Sequence, residues 1–253
     1  MELDISGAKI LFSLPVKLPV LGQLRISETI AVSWIVMLVI TGCCIWMTRD
    51  LKVQNISRRQ AAAELIVEKA EHFVTDHMGR DFGRLVPFIA ALFSTSLVSN
   101  LISLTGLRSP TADLSTEAAW AAVVFVMITA SKIKANGLGG YLKGFTAPIP
   151  VLTPFNILSE LATPVSMACR HFGNILSGLV INGLLYAALG LASSALLGRL
   201  PGVLGDILSS IPVLSVGIPA VLSFYFDWFS GFMQAFIFCI LTVMYISSAA
   251  EKN

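Results

Sequence analysis

The sequence predicts an all-α, polytopic membrane protein with about five transmembrane or membrane-embedded helices, the last two long and steeply tilted as a hairpin. Composition is the first observation: of 253 residues, 55% are hydrophobic and 13% are charged, and the mean hydropathy is +0.81. Soluble domains carry about 25% charged residues. The second observation is distribution, because residues 1–84 hold 10 of the 17 Lys and Arg and 9 of the 15 Asp and Glu. This pattern excludes a disordered or nucleic-acid-binding protein and argues against a soluble enzyme.

The first third of the chain divides into three segments. Residues 1–26 form an outer N-terminal segment. Residues 27–48 form the first transmembrane helix, because no charge follows Glu28 in it and about 20 residues cross a ~30 Å hydrocarbon core. Residues 49–84 are polar, and their SRRQ sequence, beginning at Ser57, fits a helix-capping box. This amphipathic segment lies on the membrane or on a partner, or it is a solvated connector, and both interpretations stay open.

Residues 85–253 form a second, largely membrane-embedded domain. We expect spans at 85–104 and 115–131, because both are apolar and nearly uncharged. A polar turn at 105–114 separates them, and a loop rich in Lys and Gly follows at 132–154.

Loop charge predicts the orientation. Lys and Arg are dense in 49–84 and 132–143, whereas 105–114 holds only Arg108. Basic loops stay on the cytoplasmic side. We therefore expect the segments 49–84 and 132–143 in the cytoplasm, together with the C-terminus. The turn at 105–114 is expected outside, together with the N-terminus.

The hairpin at 155–250 consists of two apolar stretches of unusual length. Residues 155–197 and 211–250 would measure roughly 65 and 60 Å as continuous helices, about twice the hydrocarbon thickness. Each stretch is therefore broken or steeply tilted, and a steep tilt requires packing against a partner. A Gly- and Pro-containing turn at 198–210 separates them.

Two ionisable residues lie deep in these stretches, Arg170 and Asp227. A charge at the bilayer centre costs about 2.5–3.5 kcal/mol, so such residues usually lie on an ion path. The alternative is an Arg–Asp pair that only holds two helices together. Glu160 lies nearer a helix start, where it is either a path residue or an interfacial acid.

Helical wheels place polar residues around both charges. Ser166 and Asn174 fall within about 40° of Arg170, in a stripe of small residues that permits close approach of another helix. Gln234 and Tyr245 fall on the face of Asp227. The two faces suit ion passage between the hairpin and another subunit, and ordinary small-residue helix packing is the alternative for the first stripe.

The sequence contains no metal-ligand spacing and no catalytic constellation. The four cysteines, at 43, 44, 169 and 239, occur in apolar runs and are interpreted as small core residues. No cofactor, metal or bond-making chemistry is therefore expected.

The motifs resemble those of a known family. The sequences SMACRHFGN at 166–174 and QAFIFCILTVMY at 234–245 are similar to the two signatures of subunit a of the rotary F-type ATP synthase, bacterial type. PTAD at 110–113 and the segment from Ile133 to Gly140 also match. The resemblance covers about 83–250, and residues 1–82 match only in topology.

The resemblance implies a non-catalytic stator subunit of the bacterial plasma membrane. It implies that Arg170 is the essential arginine of an ion-channel domain at 85–253 with two half-channels, that Asn174 and Gln234 are its polar neighbours, and that Asp113 lies near the outer half-channel. For Asp113 a helix cap is an equal alternative. The implied partners are a ring of c subunits, the peripheral-stalk b subunits, lipid, and H⁺ or Na⁺. Entering ions would neutralise ring carboxylates, which then turn through the lipid.

Three positions depart from the family pattern. His171 replaces the usual leucine, Leu179 replaces the usual acid or histidine, and Thr163 replaces a common lysine. Since Leu179 cannot carry ions, we expect Asp227 to serve the outer half-channel by itself. A secondary transporter with an Arg170 and Asp227 midplane site is the alternative function, and it would require an internal repeat that the sequence lacks.

Overall fold

The computed structural model describes residues 9–18, 22–197 and 224–251. Within them, five helical segments are long and apolar enough to cross a membrane, which confirms the predicted fold class. The helices are α1 (Glu28–Thr48), α2 (Arg58–Met78), α3 (Val86–Leu101), α4 (Leu114–Gly144), α5 (Thr153–Leu197) and α6 (Gly231–Ala250). Short 3₁₀ turns join several of them, and a π-helical turn, Phe224–Ser230, precedes α6.

The N-terminal segment contains a β-hairpin that the sequence analysis did not predict. Strand β1 (Ile10–Leu18) pairs antiparallel with β2 (Gly22–Ser27). The backbone N–H of Glu28 donates to the carbonyl oxygen of Lys9 at 2.9 Å, so the hairpin leads directly into α1. Polar and apolar residues alternate through β2, which is the period-two signal of a strand. The fold is therefore helical with one small two-stranded addition.

The first transmembrane helix, α1, agrees with its predicted bounds. Its buried residues are Thr29, Val32 and Val36, and most of its other side chains are exposed. An apolar helix with so little buried surface is suited to lipid contact.

Helix α2 begins where the capping box predicted. Its apolar side chains are not all buried. The Ser57 hydroxyl accepts a hydrogen bond from the Gln60 N–H at 3.2 Å. Val74 and Met78, near the end of the helix, are buried, whereas Ile66 is 58% exposed. The end of α2 therefore belongs to the core, and its middle remains on the surface.

The predicted loop at 132–154 is wrong in its first part, because α4 continues to Gly144. The helix is kinked at Gly137, where φ is +70° and ψ is +168°, a conformation that glycine adopts without strain. Lys132 lies in this helix, and its ammonium pairs with the Glu160 carboxylate of α5 at 2.5 Å. Helix α4 thus continues for more than three turns beyond the predicted end of the span at residue 131.

The hairpin prediction is confirmed for its first arm. Helix α5 runs through 45 residues without a break, including Pro164, which is about 67 Å of helix. The predicted turn at 198–210 and the start of the second arm at 211–223 lie outside the described residues. The described part of the second arm, 224–250, is helical.

The hydrophobic core lies where α3, α4 and α6 meet, with the end of α2 and one face of α5 against it. Its completely buried members include Val124, Val243 and Ile246. Of the four cysteines only Cys239 is buried there. The prediction that all four are core residues is wrong for the other three, which lie on exposed helix faces.

Candidate functional site

The site is centred where α5 crosses α6. The Gln234 side chain, 4% exposed, donates from Nε2 to the backbone carbonyl oxygen of Arg170 at 2.9 Å. One turn further along α5, the Asn174 Nδ2 donates to Ser230 Oγ at 3.0 Å. These two hydrogen bonds hold the helices together beside Arg170, so the two signature motifs meet in space.

The Arg170 side chain itself is exposed on the surface of α5, as is that of Ser166 one turn before it. The Arg170 guanidinium has no ion-pair or hydrogen-bond partner among the described residues. The backbone of Asp227 lies in the π-helical turn Phe224–Ser230, but its side chain is outside the described part of the chain. The predicted small-residue stripe therefore presents a permanent cation at the surface of the subunit.

A second polar region surrounds Glu160, about 15 Å along α5 from Arg170. Its carboxylate pairs with the Lys132 ammonium of α4. The pair lines a cavity of about 370 Å³ and an adjoining cavity of about 130 Å³ to which Tyr245 contributes. Tyr245 and Glu160 therefore lie together at the ends of α5 and α6, whereas Gln234 lies at Arg170.

Asp113 forms the N-cap of α4, which is the helix cap that the sequence offered as the alternative for this residue. Its Oδ1 accepts from the Ser115 N–H at 3.0 Å and from the Ser115 hydroxyl at 2.8 Å, and its Oδ2 accepts from the Thr29 hydroxyl at 3.0 Å. Burial by itself would raise the pKa of Asp113. The hydrogen bonds from Ser115 and Thr29 and the charge of Arg108 outweigh burial, so the pKa is lowered.

The sequence analysis missed a buried pair of a glutamate and a histidine beside the site. The His171 Nδ1 of α5 lies 2.9 Å from the Glu117 Oε2 of α4, and the two side chains are 1% and 0% exposed. His171 was noted only as a departure from the family pattern, and Glu117 was not singled out. The sequence did contain one signal for this pair, because Glu117 is an acidic residue at the third position of the predicted apolar span at 115–131.

Three polar side chains connect this pair to the turn before α4. The Nε2 of His171 lies 3.5 Å from both Ser96 Oγ and Asn100 Nδ2 of α3. Asn100 also donates to the Gly231 carbonyl oxygen at 2.9 Å and accepts from the Thr111 hydroxyl at 2.6 Å. Ser96, Asn100 and Thr111 are all at most 2% exposed. We call these five side chains, Ser96, Asn100, Thr111, Glu117 and His171, the buried polar chain.

No group of three or more His, Cys, Asp or Glu side chains within the described ranges has the geometry of a metal site. The side chains present are suited instead to hydrogen bonding, fixed charge and proton exchange.

The apolar helices, the exposed cation on α5 and the buried ionisable groups define a multi-pass membrane protein built for ion translocation. The model of the ATP synthase A chain family matches residues 30–247. The chain is 35% identical over 234 residues to ATP synthase subunit a 1 of Hahella chejuensis, covering 92% of this chain and 88% of the relative. It is 34% identical over 227 residues to ATP synthase subunit a 1 of Crocosphaera subtropica, with 89% and 87% coverage. It is 31% identical over 240 residues to the sodium-ion-specific ATP synthase subunit a of Propionigenium modestum, with 88% and 74% coverage.

The chain belongs to the ATP synthase subunit a family of F-type enzymes. Members of this family are non-catalytic, ion-translocating stator subunits, and the chain is a multi-pass membrane protein of a bacterial ATP synthase. The resemblance inferred from the two signature motifs is thereby confirmed.

Proposed function

We propose that this subunit provides two ion half-channels separated by Arg170, and that Arg170 couples the flow of H⁺ or Na⁺ to rotation of a ring of c subunits. The proposal is carried by the exposed guanidinium of Arg170, which has no ion-pair or hydrogen-bond partner among the described residues. Arginine keeps its proton in proteins, so this position supplies a fixed positive charge to a carboxylate that approaches from another subunit. The small exposed residue Ser166 leaves space for that approach.

The inner half-channel is assigned to the cavity beside Glu160. Lys132 and Glu160 line both of the adjoining cavities there, and Tyr245 lines the smaller one. From loop charge we expect this end in the cytoplasm. A polar cavity of about 370 Å³ accommodates water and a passing ion. The carboxylate of Glu160 offers a cation a binding group, and Lys132 limits how strongly it is held.

The outer half-channel is assigned to the opposite end of the hairpin, with Asp227 and Asp113 as its acidic groups. Asp227 precedes α6 by less than two turns. Asp113 stands at the outer end of α4, and its lowered pKa keeps it ionised at neutral pH. An anionic mouth attracts cations. Asn174 and Gln234 hold α5 against α6 between the two half-channels, which fixes the position of Arg170.

Energetics require an electrostatic barrier at this position. Each unit charge that crosses yields about 2.3 kcal/mol per 100 mV. An unpaired carboxylate in lipid costs about as much or more. A ring carboxylate therefore leaves Arg170 for the lipid only after an ion has neutralised it, and the guanidinium prevents direct leakage between the half-channels.

Substitution of Arg170 tests the proposal. In inverted membrane vesicles carrying the whole enzyme, Arg170→Ala should abolish ATP synthesis driven by an ion gradient, while the complex still assembles. Cys169→Ala is the matched control, because Cys169 is the exposed neighbour on the same helix. It should retain synthesis. Near-normal coupled synthesis in Arg170→Ala would refute the stator role.

The remaining assignments follow from the same proposal. The peripheral-stalk b subunits would bind this chain from the side away from the ring, the N-terminus would lie outside, and the C-terminus would lie in the cytoplasm. The alternative of a secondary transporter lacks support, since the family match covers 30–247 and accounts for both signature motifs.

A further inference from the structure

The contact between Glu117 and His171 is the most deeply buried ionisable contact among the described residues. Both side chains are at most 1% exposed, and Nδ1 and Oε2 are 2.9 Å apart. Oε2 and Nδ1 are at ion-pair distance without meeting hydrogen-bond geometry, and the second carboxylate oxygen, Oε1, has no hydrogen-bond partner in the described part of the chain. A carboxylate removed from water normally has all its oxygens satisfied. The free oxygen is thus an open acceptor position inside the subunit.

The surroundings of His171 are polar on one side and aromatic on the other. Helix α3 contributes Ser96 and Asn100 next to Nε2. Helix α4 contributes Trp120, and α6 contributes Phe238, whose ring centroids lie 6.4 and 5.7 Å from that of the imidazole. Among the described residues on these packed elements, Glu117 is the one ionisable group in contact with the ring. The pair therefore exchanges a proton chiefly within itself.

The hydrogen bonds of Asn100 set the resting state of the imidazole. Its amide oxygen accepts from Thr111, and its amide nitrogen donates to the Gly231 carbonyl oxygen. The remaining amide hydrogen therefore points to Nε2, which makes Nε2 an acceptor and places the imidazole proton on Nδ1, toward Glu117. Ser96 can donate or accept at the same nitrogen. The ring can thus take a proton at one nitrogen and release it at the other.

We propose that Glu117 and His171 form a proton relay in the outer half-channel, and that this relay commits the path to H⁺ rather than Na⁺. The inference rests on the proposed function and extends it by naming the ion. It also replaces the expectation that Asp227 serves the outer half-channel by itself. At one end, Thr111 connects the pair to the turn at 105–114, which we expect outside. At the other end, His171 directly follows Arg170 in α5.

The transfer balances with a single proton. Glu117 takes up a proton at Oε1 and becomes neutral. The carboxyl group then turns so that the protonated oxygen faces Nδ1. It passes this proton to the imidazole in its second tautomer, with hydrogen on Nε2 and none on Nδ1, which leaves a carboxylate and an imidazolium. The imidazolium releases the Nε2 proton past Ser96 toward the acceptor carboxylate beside Arg170, and the neutral imidazole rotates or exchanges tautomers before the next cycle. An imidazole in the path offers Na⁺ no oxygen ligand and repels it when protonated.

A purely structural ion pair is the competing interpretation, and substitution of both partners separates the two. Replacing a buried pair by apolar groups of similar volume is often neutral or stabilising, whereas removing one partner leaves an uncompensated charge. A structural pair therefore predicts that Glu117→Gln is harmful and that the double variant Glu117→Gln with His171→Leu recovers function. A relay predicts that both lose proton flux.

The experiment measures passive proton flux through the assembled membrane sector in vesicles stripped of the catalytic head, driven by a potassium diffusion potential. We expect the double variant to assemble and to conduct about 100-fold less than the unsubstituted protein, the lower end of what a positioned acid–base group contributes. The matched control is Glu68→Gln with His72→Leu, because this exposed pair on α2 has the same chemistry and 65% exposure on each side. The control should conduct normally.

Three results would overturn the relay: recovery of flux in the double variant, unchanged flux in an assembled Glu117→Gln variant, or flux in the unsubstituted protein that follows outer Na⁺ and not outer pH. If Glu117→Gln does not assemble, the double variant carries the test, since it buries no charge. The Arg170→Ala variant, measured in parallel, distinguishes the two proposals. Its coupled synthesis reports on the stator function, whereas the flux of the Glu117 and His171 variants reports on the relay.

Discussion

Asn100 joins three elements of the fold, and its substitution gives the sharpest test of the packing around the site. Its amide donates to the Gly231 carbonyl oxygen of α6 and accepts from Thr111 in the turn before α4, and it contacts His171 of α5. Asn100→Ala removes all three contacts at once. The helices that carry the two signature motifs then lose a common support.

The expected cost can be worked out from these contacts. Interhelical hydrogen bonds in membrane proteins average about 0.6 kcal/mol each, so the bonds to Gly231 and Thr111 contribute about 1.2 kcal/mol. The Thr111 hydroxyl keeps a partner, because Ser109 Oγ lies 2.6 Å away, and this limits the penalty. Truncation also leaves a small cavity, which raises the total to about 2 kcal/mol.

Pulse proteolysis of the membrane sector in increasing SDS measures this change in unfolding free energy. Thr95→Ala is the control, because the Thr95 hydroxyl bonds only to carbonyl oxygens of its own helix. It should cost less than about 0.5 kcal/mol, as substitutions away from such networks do. If Asn100→Ala unfolded at the same SDS concentration as Thr95→Ala, the reasoning would be refuted, since the buried polar chain would then contribute no stability.

Three further predictions concern other parts of the molecule. Gly231→Ala should lower stability by about 1 kcal/mol in the same assay, because an added Cβ would lie 3.0 Å from the Asn100 Cβ, whereas Gly42→Ala, with nothing within 4 Å, should not. The lowered pKa of Asp113 stabilises the fold above the pKa that this carboxyl has in the unfolded state, and this stabilisation is lost as pH falls through its pKa in the folded state. Asp113→Asn should remove this pH-dependent stabilisation. An unchanged dependence of stability on acidic pH would contradict the prediction. After the native cysteines are replaced, cysteine at Val67 should react with impermeant thiol reagents from the cytoplasmic side and cysteine at Leu107 from outside, as both are exposed, and the reverse pattern would overturn the topology.

The membrane spans could be predicted from sequence because lipid imposes one simple rule. A segment of about 20 apolar residues satisfies its backbone within itself and needs no knowledge of its neighbours. For this reason the positions of α1 and α3 were correct. For α5 the sequence left a broken and a continuous helix open, and the structure has the continuous one. The end of α4 was not predicted correctly, because the predicted span stopped before the first lysine, Lys132, whose charge is compensated by Glu160 from another helix.

The buried polar chain was missed for a related reason. Adjacent residues on a helix project about 100° apart, so the exposure of Arg170 turns His171 toward the interior. Its neighbour there, Glu117, comes from a different helix, and nothing local in the sequence marks the two as partners. Asp113 and Gln234, in contrast, could be singled out from the sequence, because each belongs to a short motif within one helix end or face. Both side chains make the hydrogen bonds described above, and their part in ion translocation stays a prediction.

The exposure of Arg170 on an apolar helix also affects how the subunit is made. A newly inserted copy that has not met its partners presents this guanidinium to hydrocarbon, at about 2.5–3.5 kcal/mol on insertion scales, and that cost ends when another subunit covers it. Solitary copies are therefore less stable in the bilayer than assembled ones by a margin comparable to a damaging point mutation. The charge to which we assign the stator role would thus also distinguish orphaned from assembled subunits, and membrane proteases that sample partly inserted helices would remove the orphans first.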